Sequence, residues 1–332
     1  MAKKKKKKDK GREESNEELL DLEEELEKEY QDGLTDLQKE AAAYFLKFAA
    51  AEAALHALLS SGEITEKEYN ERRRRKMLTG PGYDQLVDKL SRGLTSINQT
   101  AAGLISGLLP KAYAANSNWS AYDISQQTGI FWRFDLVDQS TVERLIKKNP
   151  KLLPQPRVNI PKDQRWNQQK IKSALTQGIL KGDSVDKIAG RLQTVTDMSA
   201  SAAIRNARTM TTAAENAGRL DRYEEAKEMG IRMKKTWVAT LDDRTRDAHA
   251  LLDGQTVDID EPFDSILGPI MCPGDPDADP ENVYNCRCTM ITQIAGYERD
   301  VNTRALADSL GNMTYEEWKE AARERAEERR KE

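Results

Sequence analysis

The sequence predicts an α+β fold that is mostly α: an elongated helical N-terminal region followed by a helical C-terminal module with a small antiparallel sheet. Three observations carry this expectation. Boxes of the form Ser/Thr-x-x-Glu/Gln, which satisfy the orphan N–H groups of a helix start, recur through the first half. Pro150, Pro154, Pro156 and Pro161 then crowd a stretch that cannot be helix interior. Beyond Gly230 the helical period gives way to short alternating segments with turn residues between them.

Taken in order, residues 1–14 carry Lys3, Lys4, Lys5, Lys6, Lys7, Lys8, Lys10 and Arg12 with nothing apolar to bury, and read as a disordered basic arm. The helical region is placed at 15–150. Ser15 with Glu18 opens a helix bearing Leu19, Leu22, Leu26 and Tyr30 and ending near Gly33. Thr35 with Gln38 opens an alanine-rich helix to about Ser60, and Thr65 with Glu68 a third before Gly80-Pro81-Gly82. A fourth helix spans 83–109 and stops at Pro110. The segment 117–150 is mixed, its Trp119, Phe131, Trp132 and Phe134 reading as core rather than as a stacking platform for bases.

A Pro-rich linker over 151–163 leads to a C-terminal module at 164–296. Gln164–Leu180 is expected helical and closed by Gly182, Ser184 caps a short helix through Arg191, and a long helix runs from near Ser199 to Met229. Its small residues Ala203, Ala207, Ala214 and Ala217 allow close approach of another helix. Arg205, Arg208, Thr212, Glu215 and Arg219 form a polar stripe, read as a solvated face with an anion- or partner-binding face as the rival. Strands are expected at 235–240, 255–259 and 283–294, with a short helix at 244–252, a turn at Asp253-Gly254 and a Pro/Gly/Asp-rich loop at 262–279. Residues 297–332 form a charged tail with a helix capped by Thr314 and Glu317 around Trp318.

Composition narrows the function classes. The 332 residues hold 52 Lys plus Arg against 56 Asp plus Glu, a net charge of −4, which excludes a globally basic nucleic-acid binder but leaves a local patch. The most apolar stretch, Ala41–Leu59, is interrupted by Lys47, Glu52 and His56, so no membrane span is expected. No apolar segment follows the basic start as in a secretory signal, and a protein made and kept in a cytoplasm is expected. The three cysteines, an odd number, argue against a disulfide framework.

All three cysteines and one of the two histidines fall within 237–294. His249, Cys272, Cys286 and Cys288 match a structural zinc inventory in number and type. The one-residue gap between Cys286 and Cys288 departs from zinc-knuckle spacing, and small buried cysteines around a hydrogen-bonded His249 are the competing reading. A Cys/His nucleophile pair oriented by Asp242 or Asp247, and a hard-cation site at Asp275-Pro276-Asp277-Ala278-Asp279, are further candidates. Neither a P-loop nor a dinucleotide fingerprint occurs.

The runs Ala203-Ile204-Arg205-Asn206-Ala207-Arg208-Thr209, Lys235 to His249 with its Trp-Val-Ala-Thr-Leu-Asp-Asp-Arg-Thr-Arg core, Leu252-Asp253-Gly254-Gln255, Pro273-Gly274-Asp275-Pro276 and Asn285-Cys286-Arg287-Cys288-Thr289 occur in this order. Together they resemble the Mu F-type head morphogenesis family, minor capsid proteins of tailed phages, over about residues 165–294. The resemblance implies a non-enzymatic virion component, packaged in the procapsid and located at the portal vertex inside the capsid after assembly in the host cytoplasm. Its implied partners are the portal protein, capsid or scaffolding proteins and phage DNA. In that family Trp237, Asp242, Arg244, Thr245, Arg246, His249, Asp253, Gly254, Asn285, Cys286, Arg287 and Cys288 would define the module in a structural or docking role, with no catalytic residue; apart from the zinc candidate read from the ligand inventory, no cofactor is expected. Cys272 departs from the family pattern.

The lysine arm lies outside the resemblance, and its charge suggests non-specific contact with DNA phosphates through Lys3 to Lys8. Two rival functions remain at this point: a toxin-like effector enzyme delivered with the genome, and a free non-specific DNA-binding protein.

Overall fold

The computed structural model describes residues 8–78, 81–129, 134–156, 158–294 and 313–329. Lys3 to Lys7, Phe131, Trp132 and residues 295–312, the end of the expected module and the start of the expected tail, lie outside them. The fold is mostly helical with two small antiparallel sheets, as the sequence predicts. No single described helix is long and apolar enough to cross a membrane, although α1 (Lys10–Leu46) and α2 (Ala49–Ser60) pass by length and composition when taken together across their 56° bend.

Three helices are far longer than the sequence punctuation suggests. Helix α1 starts within the expected basic arm, where Asp9 caps it by accepting the Arg12 N–H at 3.1 Å. It runs through both expected capping boxes. Ser15 and Thr35 are helix-interior residues whose hydroxyls bond back to Gly11 and Gln31 carbonyls, both at 3.0 Å. Gly33 is no stop, because a glycine costs a helix interior only about 1 kcal/mol and Ile97 fills the space a Cβ would need, 2.2 Å from its position. The Thr65/Glu68 box is real: the Glu68 carboxylate accepts the Thr65 N–H at 2.9 Å at the start of α3 (Glu66–Leu78).

Helix α4 (Pro81–Thr128) carries Pro110 in its interior. The hydrogen bond that proline cannot donate is offset by burial of Leu108, Leu109, Ala112 and Tyr113 around it. Helix α5 (Gln139–Lys148) is capped by Asp138, and α6 (Ile160–Leu180) by Asn159 with Pro161 in its first turn. The expected short helix after Ser184 and the long helix from Ser199 are one helix, α7 (Val185–Glu228). Ser184 caps it as read, and Ser199 only bonds back to the Val195 carbonyl.

After Gly230, at φ 89°, the chain enters β1 (Met233–Val238), α8 (Asp247–Leu252) and β2 (Thr256–Asp258). The expected irregular loop contains a hairpin of β3 (Phe263–Ser265) and β4 (Gly268–Ile270), followed by α9 (Pro280–Val283). The third predicted strand is shorter than read, β5 (Thr289–Ile294), and β1 lies between β2 and β5 with Trp237 opposite Met290. Helix α10 (Tyr315–Arg329) opens on the predicted Thr314/Glu317 box and buries Trp318 completely.

The chain divides into two compact units that interleave in sequence. One comprises residues 23–104 and 156–204. The other comprises 1–22, 105–155 and 205–332 and holds the sheets. Its core gathers Trp119, Tyr122, Phe134, Tyr223, Met290 and Trp318, so Trp119 and Phe134 are core as read.

Candidate functional site

Within the sheet-bearing unit, the Asn285-Cys286-Arg287-Cys288 segment is a turn rather than part of a strand. Asn285 adopts φ 59°, which short polar side chains tolerate. The turn is fixed from below by one face of α7. Thr209 Oγ1 accepts the Asn285 N–H at 3.1 Å, the Thr212 hydroxyl donates to the Cys286 carbonyl at 2.8 Å, and Asn216 Nδ2 donates to the Cys288 carbonyl at 3.3 Å. Positions 209, 212 and 216 share a helix face, a spacing legible in the sequence. From the other side Thr240 and Arg12 both donate to the Arg287 carbonyl, at 2.6 and 2.5 Å.

This clamp brings His249, Cys286 and Cys288 together. His249 Nδ1 lies 3.6 Å from Cys286 Sγ and 3.5 Å from Cys288 Sγ, and all three side chains are buried. The other ring nitrogen faces Asn282, 3.0 Å from its carbonyl and 3.1 Å from its Oδ1. Asn282 is itself oriented, because its amide donates to the Gly268 carbonyl at 3.1 Å. With two acceptors in front of it, Nε2 carries the proton and Nδ1 presents a lone pair to the sulfurs. A hydrogen bond between the two thiols pushes Cys286 up and Cys288 down. Asn282 had no sequence signal.

Cys272 is not part of the cluster. It is buried beside Met290 and Tyr223, and desolvation pushes its thiol up to about 12, so the four-ligand set is corrected to three. The nucleophile reading fails on geometry as well. Asp242 does not orient His249 but forms a two-point ion pair with Arg287, at 2.5 and 2.6 Å, which holds its carboxyl well below the usual range. The pocket against the cysteines, about 10 Å³, has room for a water. In the acidic loop both Asp275 oxygens accept backbone N–H groups, of Met271 and Asp277 at 2.9 Å, and Asp279 caps α9, so these two carboxylates serve as turn and cap devices.

The remaining motif residues build the frame. Trp237 is fully buried with its ring edge-on to His249 and Phe263. Asp253 accepts the Ala239 N–H at 2.8 Å and Gly254, at φ 79°, donates to the Trp237 carbonyl at 2.9 Å, bolting the turn onto β1. The Arg244 N–H donates to Asp242 Oδ1 at 3.0 Å, Thr245 donates to the Thr240 carbonyl, and Arg246 donates to the Glu281 and Tyr284 carbonyls. Gly274 packs so closely on α7 that a Cβ would sit 2.8 Å from Ala213 Cα.

The polar stripe of α7 is an internal face rather than a solvated one. Thr212, Glu215 and Arg219 are buried while Arg205 stays exposed. Desolvation pushes Glu215 up to about 7 against the pull of Arg12 and Arg219. Its folded pKa exceeds its unfolded one, so its contribution to stability is complete below about pH 4.5 and is lost as pH rises through 7. Over that window the loss is expected to be about 3 kcal/mol, from roughly 1.4 kcal/mol per pKa unit. Glu215→Gln removes it. Urea unfolding of both proteins from pH 5 to 8 checks this, and parallel profiles would contradict it.

A long helix clamping a cysteine turn under a three-stranded sheet defines a helical module with a small built-in β element. Residues 169–291 match the family described as Phage Mu protein F like protein. The chain is 29% identical over 237 residues to Minor head protein GP7 of Bacillus phage SPP1, covering 70% of this chain and 76% of that protein. It is 35% identical over 155 residues to a protein of Enterococcus faecalis named NAD(+)--arginine ADP-ribosyltransferase EFV, covering 45% of this chain but 31% of that one. An uncharacterized Haemophilus influenzae protein matches at 27% over 150 residues, covering 45% of this chain and 30% of the other. No solved structure gives a significant match.

Proposed function

We propose that the chain is a phage head morphogenesis protein, a minor and non-enzymatic component of the head, which docks at the portal vertex through its Mu F-like module. The observation that carries this reading is the extent of the similarity to the SPP1 minor head protein. The alignment is nearly twice as long as the module itself, so it reaches into the helical regions that flank it. The similarity to the protein named as an ADP-ribosyltransferase covers less than a third of that protein. The activity in its name can therefore reside in the part without a counterpart here, and the effector reading gains no residue from it.

The lysine arm would add non-specific contact with packaged DNA, placing the protein in the capsid interior with a role in head assembly or DNA ejection. The arm to be tested ends before Asp9. Asp9 caps α1 and pairs with Arg219 at 2.7 Å, and Arg12 supports the cysteine turn, so both belong to the fold.

Coexpression with the cognate portal and capsid proteins, followed by quantification of purified procapsids, tests the docking. A few copies per particle that disappear when the portal is omitted are expected, and a folded protein absent from particles would overturn the reading. Removing residues 2–8 should leave incorporation intact and abolish a DNA affinity whose logarithm falls with log salt at a slope of up to about −5, for six lysines on phosphates.

A further inference from the structure

We infer that His249, Cys286 and Cys288 form a zinc site, with Nδ1 and the two Sγ atoms as ligands and a fourth position open to the small pocket beside them. Tetrahedral zinc bonds, about 2.3 Å to sulfur and about 2.05 Å to nitrogen, require a nitrogen–sulfur separation of about 3.6 Å. The two separations here are 3.6 and 3.5 Å, and all three ligand atoms lie within 4.8 Å of one another. Both nitrogen–sulfur separations are therefore already at ligand spacing.

The surroundings fit the same ion. A metal-bound histidine holds its second nitrogen in a hydrogen bond that fixes tautomer and ring orientation, and Asn282 does this with both its carbonyl and its amide oxygen. Asn282 is in turn held by Gly268 and by the Ser265 hydroxyl at 3.3 Å. The neighbouring arginines are engaged elsewhere. Arg287 is paired with Asp242 and Arg246 with backbone carbonyls. One nitrogen and two sulfur donors select zinc over magnesium or calcium, which take oxygen. The pocket that reaches the cysteines has room for one water as the fourth ligand. Binding releases the thiol protons to solvent and changes no oxidation state.

The test uses the full chain purified without chelator or metal-affinity resin. Elemental analysis is expected to find about one zinc per chain, falling to near zero in Cys286→Ser and Cys288→Ser and unchanged in Cys272→Ser. A second measurement does not depend on how the variants fold. The unaltered chain, stripped with a chelator and refilled with Co²⁺, should show a near-ultraviolet thiolate-to-cobalt band and a visible band of tetrahedral intensity, and Cys272→Ser should show both. Unaltered protein that holds no zinc and gives no cobalt spectrum would overturn the site. So would a Cys286–Cys288 disulfide in the protein as purified, or loss of zinc in Cys272→Ser equal to that in Cys288→Ser.

Discussion

Replacing Arg219 with alanine is expected to cost about 3–5 kcal/mol of folding free energy, the range for breaking a buried ion pair from one side. The guanidinium is 1% exposed. One of its nitrogens donates both to Asp9 at 2.7 Å and to Asn116 Oδ1 at 2.5 Å, so the substitution leaves a carboxylate and an amide oxygen facing a void. Asn116 is fully buried and ties Gly11, Ser15 and Ala112 together through its amide nitrogen. The loss is therefore transmitted to the junction of α1, α4 and α7. Asp9→Asn alone should cost less, because that carboxylate is a quarter exposed. The double variant should cost less than the sum of the two, by about 0.5–3 kcal/mol of coupling. Urea denaturation of the four proteins measures it, and a loss below about 1 kcal/mol for Arg219→Ala would show that the pair is not a keystone of this unit.

How far this arrangement could be read from the sequence depends on whether a feature is local. The Thr65/Glu68 and Thr314/Glu317 boxes, the stop at Gly230 and the Asp253-Gly254 turn were legible because their partners lie within a few residues. The same box pattern misled at Ser15 and Thr35. A serine or threonine hydroxyl can cap a helix or bond back within one, and what decides is packing from residues far along the chain, Asn116 for Ser15 and Ile97 for Gly33. Pro110 in α4 is the same lesson, since Leu109 before it and Ala112 and Tyr113 after it are buried in a cluster with the distant Val142, Leu153 and Ala214. The β3–β4 hairpin was hidden by the Pro and Gly content of its loop. The module's motif residues were visible, but their roles were not. Asn282 and the α7 face at Thr209, Thr212 and Asn216 support the cysteine turn only through contacts more than thirty residues apart in sequence. Lys235 falls in the expected strand at 235–240, but nothing local reveals that its side chain is buried, donates to the Met271 carbonyl at 2.8 Å and lies over the Phe263 ring.

Trp237→Ala should rank with Arg219→Ala, at about 3–5 kcal/mol for deletion of a fully buried tryptophan. The indole is the largest side chain of the small cluster that also holds Leu252, Phe263, Ile270 and both cysteines of the turn. Its ring meets His249 edge-on at 5.3 Å between centroids and Phe263 at 5.2 Å. Removing it opens a void beside the histidine, and the flanking strand and turn are tied to the backbone of residue 237, which limits collapse. Trp237→Phe separates volume from polarity. It keeps an aromatic face toward His249 and deletes an indole N–H that has no hydrogen-bond partner among the described residues, so it should cost only about 1–2 kcal/mol. Chemical denaturation ranks the three proteins. Near equality of the alanine and phenylalanine variants would mean that the cavity closes around residue 237, and that His249 is held by Asn282 alone.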